Sequence, residues 1–440
     1  MVIGAGGGME ISSAAAQKGY KVALIEKEKL GGTCLNRGCI PSKMLIHPAN
    51  VAAQIKEAKK FEITVSGLKI NFRELVRRIN KTVDKESASI SPNYDVYAGE
   101  AKFVADKVLE IKGKRITAKK IVIAAGARSS IPPLEGLKGT QFMTSKEALR
   151  NTNLPRKLII IGGGYIGCEL GSAYASLGSK VIFIVRDKFL GREDGDIQKE
   201  FTKAFAKRHE VHYGNTAKVE YQNKQFTITV KGSKGKLSKV IGEQLLIATG
   251  IQPNTDNLGL ENTGISKNER GFIKVNKYLE TSVPGVYALG DVVGTYMFRH
   301  SVNFEAEYLV NSLLFGLRKP IAYPPMPHAI FTNPEIGAVG ITEEQAKEKK
   351  LNYVVGISQY KNCAQGLARL SEVGMVKIIA DKNKRTILGA HILGEEASTM
   401  IHQLTLAMTM NAKIDDLLSM IYVHPALPEV VRNAARKALV

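Results

Sequence analysis

Apolar positions along the chain fall into two periods. Short, almost unbroken apolar runs at residues 21–25, 121–125, 158–161, 181–185 and 285–289 read as strands buried on both faces. Residues 95–104 and 107–111 read as further strands and residues 11–18 and 168–177 as helices, whereas residues 49–60 and 72–87 carry apolar residues at helical spacing with charges between. Buried strands alternating with helices predict parallel sheets, an α/β chain. Glycines sit where strands hand over to helices. Val2-Ile3 runs into Gly4-Ala5-Gly6-Gly7-Gly8, and the strand at 158–161 runs into Gly162-x-Gly164-x-x-Gly167. Such turns let a backbone approach a pyrophosphate at a helix N-terminus. In the first unit the following strand ends at Glu26, an acid suited to ribose hydroxyls. Met9 stands where a third glycine is expected, which puts close helix–strand packing in doubt. Only three residues precede Gly4, too few for a full first strand. A start assigned too far downstream accounts for this, with the dinucleotide then held more weakly than in a longer form.

Between these units lies GGTCLNRGCIPSK, residues 31–43, with Cys34 and Cys39 five positions apart. A helix rises ~1.5 Å per residue, so such positions lie at least ~7.5 Å apart along its axis. A disulfide tolerates Cα separations only to about 7 Å. If the two pair, the backbone between them is not regular helix, and Gly38 is where it deforms. Two buried helix cysteines are the plainer alternative. A metal site lacks the short C-x-x-C pairs and neighbouring ligands it needs.

The motif resembles the redox-disulfide signature of the class I flavin-dependent pyridine nucleotide–disulfide oxidoreductases, and the resemblance runs over nearly the whole chain. It implies two Rossmann-like dinucleotide-binding domains, for FAD and NAD(P), and a C-terminal α+β dimerisation domain. The expected divisions are 1–147, 148–270, 271–322 (completing the FAD site) and 323–440. FAD is then held by Gly4, Gly6, Gly8, Glu26, Gly32, Thr33, Lys43, Gly126 and, in the stretch TSVPGVYALGD, by Gly290 and Asp291. The nicotinamide cofactor falls to Gly162, Gly164, Tyr165, Gly167, Arg186, Arg192 and Gly250, with Tyr165 matching the residue that gates the nicotinamide pocket. The resemblance also implies that Cys39 faces the flavin while Cys34 attacks the substrate, and that Lys43 and Glu169 pair beside the flavin's reactive nitrogen. His424, oriented by Glu429 in HPALPE, moves the proton, and the homodimer shares its active sites between subunits. Cys168 and Cys363 lack any motif and read as packing residues.

Where Glu26 ends its strand, the second unit has Val185, followed by Arg186 and Arg192. An acid there favours NAD; arginines accommodate the 2′-phosphate of NADP. NADP(H) is therefore expected over NAD(H). The general pattern is that of a dihydrolipoyl dehydrogenase, acting on a small dithiol or a lipoyl-bearing protein. The arginines and the ending HPALPEVV are closer to an NADPH-dependent mycothione or glutathione reductase type. Mercuric reductase is disfavoured, since the chain ends without a C-terminal cysteine pair.

Composition changes this picture little. The net charge of +21 admits a nucleic-acid or acidic-protein binding role, but no run of Lys or Arg exceeds two residues and acids interleave with them. No apolar run approaches the ~18 residues of a membrane span. Four cysteines in 440 residues are no extracellular disulfide framework, and a cytoplasmic protein is expected.

Overall fold

The computed structural model describes residues 1–439. Five parallel strands form the first sheet, in the order Val286–Ala288, Ile121–Ile123, Val2–Ile3, Ala23–Glu26, Asp95–Ala98. Its centre is the two-residue strand Val2–Ile3, which pairs with Leu24-Ile25 on one side and Val122-Ile123 on the other. The strand expected at 95–104 breaks after Ala98. Its second half, Lys102–Ala105, joins an antiparallel sheet with Val108–Ile111 and Lys114–Thr117.

A second parallel sheet orders Glu210–Tyr213, Lys180–Val185, Lys157–Ile161 and Gln244–Ile247. A two-stranded ribbon, Ala127–Ser129 against Ile251–Pro253, carries the chain between the two units. Packing changes sides at this ribbon. Leu137 already lies in the second unit's core, while Leu258, Leu260 and Ile265 pack with Phe103 and Val286 of the first. The core boundaries thus sit nearer 130 and 250 than 148 and 270. The C-terminal part is an antiparallel sheet ordered His328–Ile330, Ile336–Gly340, Ile387–Leu393, Met375–Asp381, Tyr353–Gln359, packed against helices Ala397–Thr409 and Glu429–Lys437. Among the described residues, no helix is long and apolar enough to cross a membrane.

The doubt raised by Met9 is resolved by its neighbour. A Cβ on Gly8 would lie 2.6 Å from Val2 Cγ1 and 3.3 Å from the Ala124 methyl. On Gly167 of the second unit it would lie 3.3 Å from the Ala248 methyl. Gly8 therefore supplies the close helix–strand approach, and Met9 is left half-buried at the edge of the core. The helix expected at 49–60 is also longer. It starts at Cys39, runs to Glu57 and contains Pro48.

Lys377, 1% exposed, binds the second unit to the C-terminal domain. Its ammonium lies 2.8 Å from Asp194, 2.6 Å from Asp196 and 2.7 Å from Glu343. Burial pushes the Glu343 carboxyl up, but hydrogen bonds from Lys347 and Lys377 outweigh it and hold it at about 2. Asp194 is likewise depressed: burial opposes, and the Lys377 hydrogen bond prevails. Depressed carboxylates stabilise the fold above their unfolded pKa, and that contribution is lost as pH falls through the folded value. Lys377→Met strands the buried Asp194 charge and should cost about 3 kcal/mol or more. In chemical denaturation, the parent should lose stability steeply between pH ~4.5 and ~2. The variant should start lower and lose less over that window.

Candidate active site

Gly31, at φ +93°, turns the chain into helix Gly32–Arg37. That helix stops at Gly38, and a second, Cys39–Glu57, begins at once. Gly38 takes φ −136°, ψ −112°, and a Cβ there would lie 2.9 Å from the carbonyl oxygen of Thr33. The deformation therefore falls at Gly38, as the cysteine spacing requires. Cys34 and Cys39 are both thiols in this structure and share a hydrogen bond. Its donor is Cys34, which lowers Cys39 to about 7. Burial opposes that fall, and the Lys43 ammonium adds to it. The same bond, with burial, pushes Cys34 upward. Arg299, paired with Glu10 at 2.8 Å, contributes a further lowering charge at both sulfurs. Sequence reasoning missed Arg299, which belongs to no glycine or cysteine motif.

One turn beyond Cys39, the Lys43 ammonium meets Glu169 at 2.8 Å and lies 4.3 Å above the Phe331 ring. The other Glu169 oxygen accepts from the Phe331 backbone at 3.0 Å. Glu169 stands on helix Tyr165–Ser176, four residues after Tyr165, so both share one helix face. The Tyr165 hydroxyl donates to the buried carboxylate of Glu193, which also meets His328 Nε2 at 3.0 Å. Glu193 and His328 were not given a role from sequence either, although Glu193 adjoins Arg192.

The glycine turns are alike in both units. A Cβ on Gly4 would lie 2.3 Å from the Ala124 carbonyl oxygen, and one on Gly162 2.2 Å from that of Ala248. Gly6 and Gly164 face open space. Gly32 packs against Gly6, where its Cβ would come within 2.7 Å of the backbone. Glu26 accepts from the Ala5 and Glu28 amides, each at 2.8 Å. A cleft of about 400 Å³ opens beside it, lined by Gly32, Asn36, Arg37 and Arg150 among others. Gly290 donates to Glu305 at 2.6 Å. Asp291 is half-buried with no hydrogen-bond partner among the described residues, and burial pushes its carboxyl up. Such a carboxylate suits the hydroxyls of a ribityl chain, and with the cradle at Gly4–Gly8 these residues fit FAD. Thr33 lies exposed near the start of the redox helix, and Gly126 lies just past the end of strand Ile121–Ile123. Gly250, at the ribbon, accepts from Ser130 at 2.9 Å.

In the second unit Val185 is buried, while Arg186 and Arg192 are exposed. The nearest acid to Arg186 is Asp187, at 3.9 Å. His424 lies on a loop, its Nδ1 3.1 Å from Glu429, which also accepts from Ala426 and from Arg432 at 2.9 Å. The hydrogen bond from His424 contributes most to holding Glu429 below its ordinary value. Glu429 is buried, but the imidazole is 71% exposed with Ile421 and Val423 bare beside it. Among the described residues Glu429 is its only hydrogen-bond partner. Cys168 and Cys363 are buried, as packing residues should be.

Residues 1–306 match the family model of the pyridine nucleotide-disulphide oxidoreductases, and residues 326–435 that family's dimerisation domain. The chain belongs to this family. Dihydrolipoyl dehydrogenase of Bacillus subtilis is 34% identical, over 100% of this chain and 96% of its own length. Mycothione reductase of Mycobacterium tuberculosis is also 34% identical, over 98% and 97%. Among solved structures, the HOCl-induced flavoprotein disulfide reductase RclA of Escherichia coli superposes with a TM-score of 0.87 at 29% identity, covering 99% of this chain and 98% of that one. The protein is thus an FAD-dependent disulfide oxidoreductase that uses a pyridine nucleotide, and its dimerisation domain supports a homodimer.

The thiol geometry is testable. Cys34→Ser keeps a donor to Cys39 and Cys34→Ala removes it. In flavin-loaded protein, the long-wavelength thiolate–flavin band should titrate near pH 7 in the serine variant and at distinctly higher pH in the alanine variant. Equal midpoints would show that Cys34 does not tune Cys39.

Proposed function

We propose that the protein reduces a small disulfide with electrons from NADPH. One observation carries the choice: the strand end that would offer an acid to NAD offers Val185 instead, with two exposed arginines close by in sequence. A shallow site of about 390 Å³ on the helix begun by Cys39 is lined by Ile40, Met44, Lys43, His47 and Arg78. Its size and cations suit a low-molecular-weight thiol bearing a carboxylate. In this reading the protein works in the reducing cytoplasm.

The residues divide the chemistry as follows. Gly162, Gly164 and Gly167 admit the nicotinamide cofactor's pyrophosphate, while Arg186 and Arg192 fork onto its 2′-phosphate. Bound at Gly4–Gly8, Glu26 and Asp291, FAD supplies the two-electron relay between nicotinamide and the cysteine pair. Lys43, held by Glu169, presents a cation beside that relay. Once the pair is reduced, His424 takes the Cys34 proton and the Cys34 thiolate attacks one sulfur of the substrate disulfide. A Cys34–substrate bond forms, the substrate S–S bond breaks, and the departing thiolate takes a proton from His424. The Cys39 thiolate then attacks Cys34, re-forming the Cys34–Cys39 disulfide and releasing the second half of the substrate as a thiolate, which takes its proton from solvent. Glu429 fixes the imidazole and stabilises its charged form. His424 serves the site of the other copy, which fits its exposure and that of Ile421, Val423, Leu406 and Met410 around the C-terminal domain.

Equal likeness to a dihydrolipoyl dehydrogenase keeps a second reading, oxidation of a lipoyl-type dithiol with NAD. Cofactor preference separates the two. A charge-assisted hydrogen bond contributes about 1.5–3 kcal/mol, so NADPH should exceed NADH at least about tenfold in kcat/KM. Replacing both arginines should erase most of that difference and spare NADH. A parent that favours NADH returns the lead to dithiol oxidation. Separately, His424→Ala should slow disulfide turnover by ~10²-fold or more while flavin reduction by the nicotinamide proceeds nearly unchanged. Equal loss in both half-reactions would make the histidine structural.

A further inference from the structure

Tyr165 is held more firmly than a freely swinging side chain would be. Its ring stacks on His328 at 5.8 Å, with planes 12° apart. His328 stacks in turn on Phe298 at 5.6 Å and 4°, and Phe298 on His300 at 5.2 Å and 6°. His300 Nε2 is tied to the Pro327 carbonyl at 2.8 Å. The stack therefore starts on the nicotinamide unit's first helix and crosses to the strand that opens the C-terminal domain. Glu193 closes the arrangement from below. Its side chain is 1% exposed. Both oxygens lie 3.0 Å from His328 Nε2, and one accepts from the Tyr165 hydroxyl. Burial works against its charge, but the His328 and Tyr165 hydrogen bonds keep it ionised. Burial and the adjacent Glu193 charge push the Tyr165 phenol upward, so it stays a donor.

We infer that Glu193 and His328 are positioning residues that latch Tyr165 shut over the nicotinamide pocket, so that nucleotide entry must break a hydrogen bond to a buried carboxylate. The inference rests on the oxidoreductase reading above, in which the Lys43–Glu169 pair stands beside the flavin that the nicotinamide must reach. Glu169 of that pair lies one helical turn from Tyr165, so the ring stands on the same helix face as the pair. When Tyr165 swings aside, Glu193 loses one of its two side-chain donors in a place water reaches poorly. A hydrogen bond to a charged group shifts an equilibrium by about one to two powers of ten, and nucleotide affinity falls by the same factor. His328 carries the second half of the latch. It holds the carboxylate in place and backs the phenol ring with its own face.

The test uses flavin-loaded dimer and rapid mixing with NADPH and NADH, reading nucleotide Kd and limiting rate of flavin reduction separately. Tyr165→Phe and Glu193→Gln should each lower Kd about tenfold, Glu193→Gln with a limiting rate within about threefold of the parent's, and in combination do no more than the stronger single change. A residue that merely supports the fold would move flavin content or Tm and leave this split untouched. Kd unchanged or weaker in both single variants, or a double variant equal to the sum, overturns the latch while the parent's normal flavin reduction upholds the enzyme reading. A parent whose flavin neither nucleotide reduces overturns that reading and the latch with it. Should Glu193→Gln fold poorly, Tyr165→Phe alone decides through the same Kd.

Discussion

The contact on which the catalytic geometry depends is the ion pair between Lys43 and Glu169. It fastens the helix that begins with Cys39 to the helix that follows the second glycine turn, and those helices come from separate nucleotide-binding units. Glu169 also takes the Phe331 amide, so a third segment is tied to the same carboxylate. Three parts of the chain with their own sheets thus converge within hydrogen-bond distance of one carboxylate. The Lys43 charge reaches the Cys39 sulfur as well. A half-exposed lysine has little reason to be pinned between two domains for stability alone, since such pairs contribute little when solvated. Its value is positional.

Electrostatics near the sulfurs then follows from backbone geometry. Regular helix through residue 38 would leave Cys34 and Cys39 too far apart to share a proton. With the helix cut there, one thiol donates to the other, and the asymmetry between them arises without any external base. The cut is possible because Gly38 has no side chain to drive into the Thr33 carbonyl. Substitution there would act on redox chemistry through sterics, at a residue that touches no substrate.

Much of this was legible in the sequence, and for particular reasons. Gly162-x-Gly164-x-x-Gly167, the cysteine motif and HPALPE each concern residues close together in the chain, so local pattern sufficed to place them. The first unit misled at Met9, because counting glycines assumes a fixed helix start. Here the helix begins so that Gly8 makes the approach instead. The strand at 95–104 misled because local pattern does not show which of two sheets each half will join. Lys377, Glu193, His328 and Arg299 escaped notice for one shared reason. Each gains its meaning from partners far away in sequence, and no spacing rule records those meetings.

The exposed His424 has a further consequence, in genetics. If the proton carrier of one copy completes the thiol pair of the other, a dimer built from two differently damaged chains is not doubly dead. A chain lacking Cys34 still lends its histidine, and a chain lacking His424 still supplies its cysteines. One of the two sites in such a mixed dimer is whole. Two inactive alleles in one cell would then complement each other, while either allele alone would behave as a null.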